Sequence, residues 1–366
     1  MGNLKTDKFH FHTFDALRFF AFLKVFLLHL PYSGSNWFSF IKRGGGIGVV
    51  FFFVLSGFLI TWGILNEKAV KQAFSFKRFY ISRFLRIAPL YYVAVLFAFI
   101  SPWLLGILHL SFSNEGYEPD WRFSFAFLEN LKSMLENSSP NVSPLGVMWS
   151  LCVEVHFYLI WALAMGLSSS KNALRIILCC FPIAFLFRFI YIDNQIFTND
   201  LFTNIDFFAA GGGVAWLWVN KNEIISQWAD SLSVAKRWLI VAGVILVVVC
   251  VVPIKFQSAV LQAITPGLYG LCFALLLAVF LNRQHWGISS RNPLSWLGRI
   301  SYGMYVMHTV FILMCAKLTA MCFQNLSPLA EVCIIGIGSF GLTVLFSALS
   351  YRYFEQPVLK LREKIK

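Results

Sequence analysis

From residue 14 to residue 354 the chain is a succession of apolar windows separated by polar segments. Each is close to the ~20 residues that a helix needs to cross a bilayer. Ten windows stand out, at 14–30, 46–65, 87–110, 148–167, 172–192, 201–219, 238–254, 259–281, 297–319 and 329–354. In hydrocarbon each backbone N–H and C=O must find its partner inside the protein, so such windows fold as helices. The expected fold class is all-α: a polytopic membrane helix bundle of about ten transmembrane helices. It is expected to form one domain over 1–366, with a core at about 10–357 and no fused extracytoplasmic domain. Composition agrees, because only 13% of the 366 residues are charged against about 25% in a soluble domain. Residues 121–135 are expected to add a short interfacial helix.

The formal charge is +13. No basic tract of nucleic-acid type stands alone, and the excess is better explained by Lys and Arg in cytoplasmic loops. With the N-terminus inside, the inner segments hold 18 Lys and Arg and the outer ones five, so both termini are expected in the cytoplasm. The outer loop 111–147 is instead acidic. Most of the eight cysteines lie within apolar windows, without a C-x-x-C metal pattern, and are read as small buried hydrophobes. Cys322 and Cys333 fall near one membrane face, which offers a weak signal for a disulfide between them. The first window carries charges and lacks a small-x-small cleavage site, so it does not read as a cleavable signal.

That first window, FDALRFFAFLKVFLLHL, contains Asp15, Arg18, Lys24 and His29. Ionisable groups at membrane depth cost several kcal/mol and are normally paired, facing a cavity, or functional. Arg18 and His29 are eleven residues apart, which is about 20° after whole turns and about 16 Å along a helix. One face therefore presents a fixed cation and, near its far end, a titratable imidazole. For an isolated helix, sealing of helix contacts explains these groups as well as chemistry does.

Other motifs add to this pattern. GGGIGVVFFFVLSGFLI at 44–60 places Gly44, Gly45, Gly46 and Gly48 where backbones approach closely or a helix N-terminus is left open. Arg83 and Arg86, in FYISRFLRIAPLYY, lie on one helix face at the cytoplasmic side; they suit headgroup phosphates or a phosphorylated cofactor. Glu154 and His156, in MWSLCVEVHFY, fall at the level assigned to His29, where a carboxylate can orient an imidazole. His156 points to another side of that helix and is read as packing. His308 lies near the middle of the ninth window, where a hydrogen-bonded structural role is as well supported as a functional one. Asp206 is a further membrane-level carboxylate; Glu355, with Arg352 nearby, closes the last helix, and His10 and His12 belong to a polar tail.

Taken together, DALR at 15–18 followed by His29, GIGVVFFFVLSGF at 46–58, RFLRIAPLY at 83–91, WSLCVEVHFY at 149–158, SYGMYVMH at 301–308 and YRYFEQP at 351–357 resemble the acyltransferase-3 family of integral-membrane acyltransferases. The six motifs occur in the family's order across nearly the whole chain. Cys152 and His156 depart from it, standing where small polar and Gln-like residues are usual. The resemblance implies an O-acetyltransferase that moves an acyl group from cytoplasmic acetyl-CoA to a hydroxyl of an envelope glycan such as O-antigen, capsule, exopolysaccharide or peptidoglycan. It implies His29, Arg18, Glu154 and Asp15 in catalysis, Arg83, Arg86 and Tyr91 at the donor, and Trp149, Ser150 and His308 at the acceptor. No metal is expected. The expected partners are the lipid bilayer, the acyl-CoA donor, a glycan or lipid-linked glycan acceptor and glycan-assembly proteins, in a bacterial inner membrane.

In this reading Arg83 and Arg86 hold donor phosphates and Arg18 stabilises charge on the donor or thioester oxygen. His29, with an unperturbed imidazole pKa near 6.5, serves as base or transient acyl carrier, and Glu154 orients it. The rival of a different class is a transporter or flippase of a lipid-linked or small solute, which also fits many helices and buried charges. It does not predict a basic pair on one side with a histidine toward the other.

Overall fold

A computed structural model describes residues 12–34, 37–42, 44, 46–107, 115–251, 254, 256–281, 291–323 and 325–362. His10, Gly45, and residues 108–110, 252 and 253 of the expected spans 87–110 and 238–254, lie outside the described residues. The fold is 84% helical, with no strand among the described residues. In chain order the helices are α1 (His12–His29), α2 (Trp37–Lys42), α3 (Ile47–Lys71), α4 (Phe76–Ile107), α5 (Trp121–Phe125), α6 (Glu129–Leu135), α7 (Met148–Leu167), α8 (Ser170–Asp193), α9 (Leu201–Asn220), α10 (Asn222–Ser231), α11 (Val234–Val251), α12 (Ala259–Phe280), α13 (Pro293–Arg299), α14 (Ser301–Cys322), α15 (Pro328–Ser350) and α16 (Gln356–Leu361). Among the described residues, eight stretches are long and apolar enough to cross a membrane; they contain α3, α4, α7, α8, α11, α12, α14 and α15. The other two expected spans are α1, which carries Asp15, Arg18 and Lys24, and α9, which carries Asp206. The protein is a multi-pass membrane protein.

Several boundaries depart from expectation for visible reasons. α4 starts at Phe76 rather than near residue 87, so Arg83 and Arg86 lie within the helix. The ninth window divides into α13 and α14. Asn292 caps α13 by accepting from the Leu294 N–H at 2.9 Å, with Pro293 in its first turn. Residues 121–135 form two short helices, α5 and α6, rather than one. After α15 the chain makes a π-helical turn, Tyr351–Glu355, and resumes as α16. Glu355 there accepts from Ser350 Oγ at 3.1 Å, while Arg352 lies over the Tyr353 ring. All eight cysteines, Cys322 and Cys333 included, are free thiols.

The centre of the bundle is α3 packed on α9. Added Cβ atoms at Gly57 and Gly211 would sit 2.0 Å from Phe208 O and 1.8 Å from Val54 O. Small residues are required on both helices for their backbones to touch, which is how helices associate when lipid competes for apolar side chains. Asp206 of α9 is bidentate with Arg188 of α8 at 2.5 and 2.8 Å, and both are buried. Breaking such a pair from one side costs about 3–5 kcal/mol. Lys68 of α3 donates to the carbonyls of Met165, Gly166 and Ser168 at the end of α7, satisfying acceptors that the helix leaves open. The outermost helices, α11 above all, turn Leu239, Ile245 and Leu246 outward, as a hydrocarbon solvent requires.

Candidate functional site

The polar residues of α1, α3, α4, α7 and α14 converge on one interior cavity of about 80 Å³. Its polar lining includes Arg18, Ser56, Arg83, Arg86, Ser150, Glu154, Tyr158, Ser301, Tyr302 and Tyr305; Phe52, Phe53 and Leu59 contribute apolar wall. The helical period explains the grouping. Asp15 and Arg18 are one turn apart and ion-paired at 2.8 Å. Glu154 and Tyr158 are i, i+4 on α7, with Tyr158 OH donating to Glu154 Oε1 at 2.5 Å. Ser56 Oγ donates to the same oxygen at 2.6 Å from α3. Arg83 lies between the rings of Phe79 and Tyr158, at 5.6 and 5.7 Å. Asp15 is fixed from behind, since α13 passes so close that a Cβ at Gly298 would fall 1.6 Å from Asp15 O.

A second polar group sits toward the other end of α1. His29 is exposed, whereas His308 of α14 is fully buried. Their rings are 4.9 Å apart, with His308 Nε2 3.3 Å from His29 Nδ1. His308 Nδ1 lies 2.7 Å from Tyr305 O, and His29 Nδ1 lies 2.9 Å from Val25 O. A carbonyl oxygen only accepts, so the nitrogen facing each one carries the proton. His308 Nε2 is then an acceptor, and the His29 Nδ1–H is shared between it and Val25 O. His29 Nε2 is left with its lone pair. This arrangement can take a proton from a hydroxyl.

Tyr305 joins the two groups. Its hydroxyl is 2.6 Å from Ser150 Oγ at the cavity wall, while its carbonyl meets His308.

The expected site residues divide accordingly. Arg18, Arg83, Arg86, Ser150 and Glu154 line the cavity. Asp15 stands behind Arg18. His29 and His308 form their own pair outside its lining. The expected pairing of Glu154 with His29 is not formed; the carboxylate accepts from Ser56 and Tyr158 instead. Tyr91 turns away from the cavity. Its hydroxyl donates to Ser124 O at 2.7 Å and its ring stacks on Phe127, which secures the segment around α5. Trp149 makes an edge contact with Phe53 and does not line the cavity.

Tyr158, Tyr302 and Tyr305 were not singled out from the sequence. Tyr158 had a usable signal in its i+4 spacing from Glu154, and Tyr305 stands three residues before His308. Tyr302, which donates to Ile87 O at 2.7 Å, had none.

The family model described as Acyltransferase domain matches residues 11–348. The chain is similar to "Peptidoglycan O-acetyltransferase OatA" of Listeria monocytogenes, with 29% identity over 94% of this chain and 55% of the relative. It is also similar to "O-acetyltransferase OatA" of Staphylococcus aureus, with 25% identity over 94% of this chain and 57% of the relative. The chain thus spans about half the length of these curated relatives. No solved structure matches it.

Proposed function

The chain belongs to the acyltransferase-3 family, and from that premise we propose that it is an O-acetyltransferase carrying an acetyl group from acetyl-CoA to a hydroxyl of an envelope glycan. The observation that carries this reading is the two-ended site on α1. A guanidinium-rich cavity contains Arg18, and an imidazole with an available lone pair stands about 16 Å further along the same helix. An anionic donor suits the first end and a hydroxyl acceptor the second. The cavity's modest volume supports a short acyl group. The Listeria relative, named for peptidoglycan, supports a glycan acceptor. The protein resides in the bacterial inner membrane, with the Arg83 end toward the cytoplasm.

Arg83 and Arg86 bind donor phosphates as charge-assisted forks. Arg18 stands too far from His29 to touch an oxyanion formed there, so it holds the donor arm. That arm passes the Tyr305–Ser150 pair to bring the thioester toward His29. The acceptor hydroxyl loses its proton to His29 Nε2 as its oxygen attacks the thioester carbonyl. The C–S bond then breaks, and the proton passes to the departing CoA thiolate. The products are the ester and free CoA, with every proton accounted for. Glu154 shapes the cavity through Ser56 and Tyr158, and His308 holds His29 in the required tautomer.

His29→Ala is expected to insert normally and to abolish acetylation, read as loss of the acetyl mass increment in envelope glycans from cells carrying that variant. Wild-type product from His29→Ala overturns the reading. A transporter would instead move solute without forming an ester, which the same mass measurement separates.

A further inference from the structure

Beside the cavity lies a second space of about 330 Å³, lined among others by Arg78, Arg83 and Arg362. Ile60 and Arg83 line both spaces, so they meet at the Arg83 guanidinium. Arg83 Nε is buried with no hydrogen-bond partner among the described residues. Glu67 is the one carboxylate in the vestibule lining, and it is engaged by Arg78 and by Lys71, the latter at 3.6 Å. Three guanidiniums therefore share one carboxylate, which Arg78 and Lys71 already engage, so the lining carries a net positive charge. Phe74 and Phe79, with ring centroids 5.7 Å apart, add aromatic wall. Guanidinium groups match phosphate oxygens in planar, paired geometry, and aromatic faces accept a planar base.

We propose that this vestibule is a separate nucleotide-phosphate site in which Arg78 and Arg362 hold the phosphorylated end of the donor. The proposal rests on the assignment of acetyl-CoA as donor. The order of chemistry along the two spaces matches that molecule. Phosphates and base occupy the wide basic mouth as far as Arg83, and the uncharged pantetheine arm runs on through the narrow cavity to bring the thioester toward His29. Arg78 and Arg362 set donor affinity and make no contact with the reacting atoms. A phospholipid headgroup offers the same phosphate chemistry, so the test separates the two sources.

The test is equilibrium binding of radiolabelled acetyl-CoA to the full chain in phosphatidylcholine nanodiscs, with competition by 3′-dephospho-acetyl-CoA and S-acetylpantetheine. Each lost phosphate contact is expected to weaken binding about tenfold. Arg78→Ala and Arg362→Ala should each weaken acetyl-CoA by about that factor and leave S-acetylpantetheine unchanged. Unchanged acetyl-CoA affinity in both variants overturns the proposal, and so does equal weakening of both ligands. Loss of phosphatidylglycerol retention in the variants, with acetyl-CoA binding intact, assigns the arginines to lipid headgroups and also overturns it. A wild-type chain that binds no acetyl-CoA overturns the donor assignment itself.

Discussion

A hydrogen bond to a carbonyl fixes where an imidazole keeps its proton, and here two carbonyls act in series. Tyr305 O sets His308, His308 helps to set His29, and His29 Nε2 is left free to act. His308 is thus a positioning residue, and its loss should show in turnover rather than in donor binding. His308→Leu is expected to lower kcat on the order of 100-fold with the donor KM unchanged. His308→Gln, which can present an amide oxygen to His29, should recover part of the rate. Equal activity in the two variants, measured as acetyl transfer in purified membranes, would contradict the role. The partnership was not legible in the sequence, because the two histidines are 279 residues apart. Their juxtaposition follows from how α14 packs on α1. Glu154 illustrates the same limit. Its i+4 partner Tyr158 was within reach of helical spacing, but Ser56 arrives from α3, 98 residues away.

At the scale of elements, the eight spanning stretches found among the described residues were legible because hydrocarbon leaves the backbone so few options. The break between α13 and α14 was less so, since it depends on α13 docking against the Asp15 backbone at Gly298. Asp206 stood out as a buried carboxylate, yet its partner Arg188 became evident only when α8 was placed beside α9. The acidic outer loop holds a comparable feature. Glu129 of α6 is buried and accepts from Tyr117 and Ser124, each at 2.7 Å. Burial pushes its carboxyl above the ordinary carboxylate range, although those two hydrogen bonds oppose the shift. A raised carboxyl binds its proton more tightly in the folded loop than in the unfolded one. Its contribution is therefore fully present below the unfolded value and is lost as pH rises through the folded one. Backbone hydrogen exchange over residues 117–136 is expected to quicken across that rise beyond the intrinsic pH effect. In Glu129→Gln the excess should vanish. An identical pH dependence in the two proteins would count against Glu129 as its source.

For the whole molecule, the direction of acyl flow depends on which end of the bundle meets the cytoplasm. The proposed orientation puts the start of α1 and the end of α16 on the cytoplasmic side, together with Arg78, Arg83 and Arg362. Placing that side inward satisfies the bias of Lys and Arg toward cytoplasmic loops and gives the arginine vestibule access to a cytoplasmic donor. The exposed thiol of Cys322, at the end of α14, then lies outside. Ala73, in the exposed turn between α3 and α4, lies inside. In a chain whose other cysteines are replaced, an impermeant maleimide is expected to label Cys322 in right-side-out vesicles. Ala73→Cys, with Cys322 also replaced, should be labelled only in inverted ones. The reverse pattern would turn the arginines outward and His29 inward. No cytoplasmic CoA could then reach the vestibule, so this one labelling experiment tests the donor and acceptor assignments together.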